Sequence, residues 1–457
     1  MQVQGEADEA RQRHYAIYLQ RFRTDDYRLR SAEAATVLAR LRLEQDNLRA
    51  ALVWADGEAR YADLAWLIIA ASWFWFLCDY GYERGRWLQQ VLPNRAALLP
   101  AMRLAILIDV LNSARVVAAL QPIDPYIAEI MPLLASCPYK LLQAVAWFFL
   151  AQFTTDVTQT GAALERSVAL ARTATDSPTL GPEFCAHADR DFILPANMLG
   201  VVTFLLDQGE VIRATGLAIE SLQRFRSSGN QPWIIGNLGH LGRLALLGGE
   251  LVQAHSYFSE VVTLATSYHY HTLQGEWQPF LGIVALYQGN LEEARYRLTE
   301  NLPRAIDLKQ SYYLARNYTY LAELALREEA IDQAAQWLAQ SLRGDTDPDR
   351  NRLFQVERLF VAARLATAQQ QYHRAATLFG LAEQAHSQIH HCIGGPMRTL
   401  ADAALATVQA ALEPAVFAEA FAAGQQMTLA EAFALFVSQT IPSPTQSIIG
   451  PAPHSLV

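Results

Sequence analysis

The sequence predicts an all-α fold: a right-handed superhelical solenoid of helical hairpins with a C-terminal helical cap. Three observations predict it. Apolar residues recur with a helical period almost throughout, and alternating strand patterns are nearly absent. Five alanines, Ala214, Ala254, Ala294, Ala334 and Ala375, are spaced by 40, 40, 40 and 41 residues. A second ladder, Gly242, Gly282, Ala322 and Ala363, runs twelve residues ahead, and small polar residues follow the alanines by seven at Ser221, Asn301 and Ser341. Small residues at a fixed period are expected where the helices of repeated hairpins touch backbone to backbone.

The elements follow in order. Residues 31–54 place Ala35, Leu38, Leu41, Leu48, Ala51 and Leu52 on one stripe, an amphipathic helix or pair. Very apolar helices are expected at 61–78 and 84–92, then pairs at 101–120 with 125–135 and at 141–153 with 161–173. The run from Leu64 to Cys78 is fifteen residues flanked by Asp63 and Asp79, too short for a membrane span, so a buried helix is expected. Its aromatic cluster, Trp66, Trp73, Phe74, Trp75 and Phe76, reads as core. These elements make up an N-terminal helical segment, 1–135. The array itself is placed at 136–397, interrupted by an irregular insert at about 174–192 that reads as a surface loop.

From 195 to 390 each unit has an apolar first helix and a turn (QGE 208–210, GGE 248–250, QGN 288–290, REEA 327–330, QQQY 369–372). A second helix opens two or three residues before the ladder alanine, and Phe258, Leu298, Leu338 or Phe379 fills the gap four positions later. This is the tetratricopeptide (TPR) pattern with its usual period of about 34 residues lengthened. Residues 398–437 supply the cap, with Thr428 and Glu431 as a capping box, and the proline-rich stretch 438–457 reads as a disordered tail.

Composition narrows the function. The chain has 457 residues, 52% hydrophobic and 18% charged, with net charge −9. A nucleic-acid module normally carries a basic face, so no direct nucleic-acid partner is expected, nor a membrane. Four scattered cysteines without a CxxC pair, and a charged, polar start, point to a cytoplasmic, reducing setting.

Several stretches carry a family resemblance. Glu44-Gln45-Asp46-Asn47-Leu48-Arg49-Ala50-Ala51-Leu52 resembles an ExDNLRAAL motif, and Phe74-Trp75 with Glu83 through Leu88 resembles FW…EGRRWL. Ala375 through Glu383 resembles AARLFGAAE, and Gly424 through Glu431 resembles GxxMTLEQA. These motifs belong to the TPR C-terminal region of bacterial NB-ARC or MalT-like signal-transduction ATPases, often fused to LuxR-type DNA-binding domains. The resemblance implies a sensor and protein-interaction scaffold, working with an ATPase domain in cis or in trans. The chain itself contains no GxxxxGK[ST] phosphate loop, and no basic helix-turn-helix follows the cap.

Candidate chemistry is sparse. His390-His391-Cys392 is the densest ligand cluster, but adjacent histidines diverge on a helix, so an exposed helix end is expected and no metal. His269 and His271, two apart, fall on different faces. No nucleophile-elbow motif occurs, and Glu292-Glu293 and Glu328-Glu329 are explained by helix dipoles. No catalytic residue and no cofactor is therefore assigned. The positions one past each ladder residue, Thr203, Arg243, Ile283, Glu323 and Arg364, share a face with those seven earlier, Gly236, Glu276, Arg316 and Glu357. Arg243, Glu276, Trp277, Arg316, Glu323 and Arg364 are the candidate groove residues, polar and near neutral, fit for a peptide, a partner protein or a small effector. The expected function is non-enzymatic binding and sensing. The alternatives are a self-association module, with the chain as a homo-oligomer, and an enzyme on a helical frame.

Overall fold

Five hairpin turns set the register of the chain. The computed structural model describes residues 2–431 apart from 79, 115–116, 118–119, 155, 269, 301, 308–310, 345–350 and 430. Among the described residues the chain is helical, without a strand. The N-terminal helices are α1 (Gln2–Arg28), α2 (Ala34–Leu43), α3 (Gln45–Gly57), α4 (Tyr61–Leu77), α5 (Gly81–Val91), α6 (Pro100–Ala114), α7 (Asp124–Ser136), α8 (Lys140–Leu150) and α9 (Val157–Arg172). Regular hairpins follow: α10 (Arg190–Asp207) with α11 (Val211–Ser228), and α12 (Gln231–Leu247) with α13 (Leu251–Ser267). Next come α14 (His271–Gln288) with α15 (Leu291–Thr299) and the short α16 (Leu302–Asp307), then α17 (Ser311–Arg327) with α18 (Ile331–Gly344). The chain continues through α19 (Arg352–Ala368) with α20 (Tyr372–Gln388), α21 (Gly395–Ala411) and α22 (Pro414–Gln426). No described helix is long and apolar enough to cross a membrane.

Each turn repeats the same hydrogen bonds. The N–H groups of Glu210, Glu250, Asn290, Ala330 and Gln371 donate to carbonyls five residues back, and those of Gly209, Gly249, Gly289, Glu329 and Gln370 to carbonyls three back. That is the Schellman stop, which needs a left-handed residue at the turn. Gly209, Gly249 and Gly289 supply it at φ 75°, 78° and 85°, while Glu329 and Gln370 adopt φ 59°. Side chains are disfavoured there because Cβ crowds the carbonyl.

The ladders lie where helices meet. All five ladder alanines, with Ala322, Ala363, Phe258, Leu298, Leu338 and Phe379, are fully buried. A Cβ on Gly242 would come within 2.7 Å of the Phe258 ring, and one on Gly282 within 2.9 Å of Leu298 Cγ. Ser341 shares a 2.8 Å hydrogen bond with Thr319, and Ser221 donates to the Pro195 carbonyl at 2.8 Å. The small polar ladder thus joins the two helices of a hairpin; Asn301 lies outside the described residues.

Packing divides the chain into two units, residues 1–204 with 212–240, and residues 205–211 with 241–457. In the first, the ExDNLRAAL residues act as ties. Glu44 accepts from Tyr18 and Arg21 on α1, each at 2.6 Å, and from Asn47 at 2.8 Å. These bonds hold its carboxyl below the usual range, with the Tyr18 hydroxyl the largest cause. Arg49 on α3 makes a two-pronged bond to Glu83 on α5, both arms 2.8 Å. Gly85 is required by Val117, whose methyl would lie 2.7 Å from an added Cβ.

The insert is not a surface loop. Phe184, Cys185 and His187 are buried, Phe184 sits edge-on to Trp66, and Asp189 pairs with buried Arg30 at 3.1 Å. Short 3-10 turns at Ala174–Asp176 and Pro182–Ala188 and a left-handed Cys185 (φ 51°) fold it inward against α1, α4 and α6. Its polar composition concealed this, since buried Arg30 pairs both with Asp189 of the insert and with Asp26 on α1.

In the second unit, α22 crosses α20 at two glycines. A Cβ on Gly380 would fall 2.0 Å from the Phe421 carbonyl oxygen, and one on Gly424 1.9 Å from that of Thr377. Thr428 and Glu431 form the expected reciprocal capping box, with N–H bonds of 2.8 and 3.3 Å. The proposed disordered tail, 438–457, lies outside the described residues.

Candidate functional site

Helical geometry puts positions i, i+4, i+7 and i+11 on one face. On α14 that face carries Glu276, Phe280, Ile283 and Tyr287; on α17, Arg316, Tyr320, Glu323 and Arg327; on α19, Glu357, Val361, Arg364 and Ala368. In the second unit these faces converge. Arg243 on α12 acts electrostatically on Asp207 at the end of α10, on Glu276 and on Glu357, residues drawn from three other hairpins.

The expected groove residues are not all on an open surface: Arg316 and Glu323 are 4% and 1% exposed. Glu323 is buried and pairs with Arg364, with Arg327 3.5 Å from its other oxygen. Arg316 is buried with its guanidinium 4.3 Å from the centre of the Phe280 ring. Glu276 and Arg243 keep partial solvent access. Trp277 is placed differently: it is 3% exposed, stacks with Phe258 and lies tilted against Phe280, within the apolar packing between α13 and α14.

Burial dominates the electrostatics. It pushes the Asp207 carboxyl up to about 6, against the opposing pull of Arg243 and Arg352. Glu276 and Glu357 are raised for the same reason, offset by Arg316 and the Tyr313 hydroxyl for Glu276, and by Arg243, Arg316 and the Tyr320 hydroxyl for Glu357. The Tyr287 and Tyr320 hydroxyls are pushed up by burial and by nearby carboxylates, chiefly Glu323 and Glu357 respectively. Carboxylates and guanidiniums packed this closely form a surface that can hydrogen-bond both signs of charge. Shifted carboxyls grouped in this way are a mark of functional sites.

Sequence reasoning did not pick out Asp207, Tyr287 and Tyr320. A signal was present: Asp207 and Tyr287 lie four residues beyond Thr203 and Ile283, and Tyr320 four beyond Arg316, one turn along the same face.

The segment joining α20 to α21, residues 389–394, and the first residue of α21 lie against two of the hairpin turns. The Gly394 N–H donates to the Leu247 carbonyl at 3.1 Å. A Cβ on Gly209 would fall 1.9 Å from the Ile389 oxygen, and one on Gly395 2.7 Å from Gly249 Cα. Within the segment Cys392 is half-buried, and burial, with the charges of Glu357 and Asp207 opposed by Arg243, lifts its thiol to about 12.

One group among the described residues, Glu383, His386 and His391, has metal-like spacing. Its chemistry does not fit a cation. The Ile393 N–H donates to His386 Nε2 at 3.1 Å, which puts the ring proton on Nδ1 and leaves no free lone pair. The Arg398 guanidinium also lies 2.7 Å from Glu383. A surface depression along α1 is lined by Ile17, Gln20, Arg21, Arg28 and Arg40, but its arginines are already bound to Glu44, Asp25 and Glu33.

No family model matches the chain, and no match was found among curated proteins.

Proposed function

We propose that the second unit is a TPR-like solenoid that binds a polar ligand of mixed charge, a short peptide or small effector, on its converging inner face. On this reading the chain is a non-enzymatic sensor scaffold of a bacterial signalling or transcriptional regulator, and the motifs around Glu44, Trp75, Ala375 and Gly424 support that placement. The observation that carries the binding reading is the convergence of Asp207, Arg243, Glu276 and Glu357 on one partly accessible network. A merely structural network would favour fully paired charges with water excluded. Here the carboxyls keep solvent access while burial raises them, the state in which a ligand's cationic and anionic groups gain most by replacing water.

The test is thermal denaturation against zwitterionic amino acids and mixed-charge dipeptides, followed by calorimetry. A ligand at a hundred times its Kd stabilises the native state by about 2.7 kcal/mol. Glu357→Gln, nearly isosteric, should weaken that ligand at least tenfold while leaving the ligand-free transition within a few degrees. The reading fails if no such probe shifts the transition, or if Glu357→Gln and Arg243→Gln bind as the parent does.

A further inference from the structure

The inward fold of the insert carries ionisable groups into the core of the first unit. Arg30 lies between Asp26 on α1 and Asp189 of the insert. Arg84 on α5 donates to Ser72 on α4 at 3.0 Å, and Ser72 donates to Asp109 on α6 at 3.2 Å. His187 of the insert lies 3.9 Å from the same Asp109 oxygen. Asp26, Arg30, Arg84, Asp109 and His187 are all buried. The group holds three carboxylates and two guanidiniums, so with His187 neutral it is one positive charge short. One bound proton makes it neutral. Its loose ends agree: Asp26 Oδ1, Asp109 Oδ2 and His187 Nδ1 have no hydrogen-bond partner among the described residues. An uncompensated buried charge is costly, so closing the insert favours the protonated group. Burial raises the Asp26 carboxyl, against the pull of Arg30, and lifts the Cys185 thiol, which stays protonated.

The other charges nearby are accounted for. Helices α1, α4, α6 and α8 pack on the Pro182–Ala188 turn. Besides Asp26, α1 presents Arg23, which lies over the Trp66 ring. On α6, Arg103 is bound to Glu129; on α4, Asp63 is bound to Arg60; and Lys140 of α8 donates to the Thr173 carbonyl. On the insert itself the neighbours of His187 are Glu183, Cys185 and Asp189. The left-handed backbone at Cys185, φ 51°, is strain that the docking contacts must offset. We propose that the insert, residues 174–192, is latched by one proton bound in the group of Asp26, Asp109 and His187, and loosens when that proton leaves. The docked insert then binds more protons than the released one, so docking is favoured as pH falls and lost as pH rises.

Hydrogen exchange of the full chain tests the latch, read by mass spectrometry and corrected for the intrinsic pH dependence of amide exchange. An imidazole changes charge between about pH 5 and 8, so about pH 6 and about pH 8.5 are compared. Protection of the insert amides should fall at least about tenfold between the two, while that of α3 stays within about twofold. Asp109→Asn keeps the shape and makes the group neutral without a proton, so its insert should show at the higher pH the protection the parent shows at the lower. His187→Gln should bring the protection at the lower pH down to the parent's value at the higher. Parent protection that is equal or greater at the higher pH overturns the latch, and so does a fall that α3 shares. A folded Asp109→Asn or His187→Gln chain with the parent's profile overturns it as well. The parent profile decides the matter where a variant fails to fold.

Discussion

Gly289→Ala and Glu329→Gly are the same experiment run in opposite directions. Both residues occupy the left-handed turn position, at φ 85° and 59°, between the first and second helices of consecutive hairpins. Nothing lies within 4 Å of the Cβ that alanine would add at Gly289, so the change isolates backbone strain from steric conflict. A left-handed conformation costs an L-residue roughly 1–2 kcal/mol, and alanine recovers about 0.4–1 kcal/mol by restricting the unfolded chain. The net expectation is a loss of about 1 kcal/mol. Glu329 is exposed, and its replacement by glycine should gain a similar amount by the reverse argument. Urea denaturation monitored by far-UV circular dichroism measures both, and calorimetry should show Tm moving by about 2–4 °C per kcal/mol if the unit melts cooperatively. Two losses of equal size would refute the reasoning, because the turn would then depend on the Glu329 side chain and not on its backbone.

Asp207→Asn should raise stability at pH 7.5 and leave it nearly unchanged at pH 4. The folded carboxyl titrates at about 6 and the unfolded one near 4, so between those values the unfolded chain releases a proton that the folded chain keeps. Stability from this group is therefore full below pH 4 and lost as pH rises through 6, by on the order of 2 kcal/mol given partial solvent access. Chemical denaturation at the two pH values checks the sign. Separately, Gly424→Ala should cost at least about 3 kcal/mol, since its methyl would lie 1.9 Å from the Thr377 oxygen; a melting curve within 2 °C of the parent would show that the crossing is looser than drawn.

Much of the fold was legible because its signals are local. Glycine at 209, 249 and 289 marks a backbone conformation that few other residues adopt, and an alanine such as Ala294 marks a helix contact whatever its partner. The buried insert was not legible, since Phe184, Cys185 and His187 sit among polar residues whose partners, Asp26, Arg30 and Asp109, are far away in sequence. The candidate site falls between these cases. Periodicity puts Arg243, Glu276, Arg316, Glu323 and Arg364 at equivalent positions of successive first helices, but it does not tell which of them are buried, as Arg316 and Glu323 are. It could not tell that Trp277, next to Glu276, turns into the apolar packing with Phe258 and Phe280, since one residue along a helix is a rotation of about 100°. Nor could it show Arg243 acting on Glu357, since the two lie more than a hundred residues apart in the chain.

The crossing of α20 and α22 behaves as a mortise cut from both sides. Gly380 receives the Phe421 carbonyl and Gly424 receives that of Thr377, so each helix is the mould for the other. Sliding α22 by one turn would bring Ala420 to the place of Gly424, and its methyl lacks the room. The joint therefore admits a single axial setting. It also has no compensating mutation: a side chain added at either glycine meets fixed backbone, and trimming cannot make backbone smaller. A lineage that keeps this pair of helices must keep both glycines, and one that loses either must re-seat the whole terminal helix.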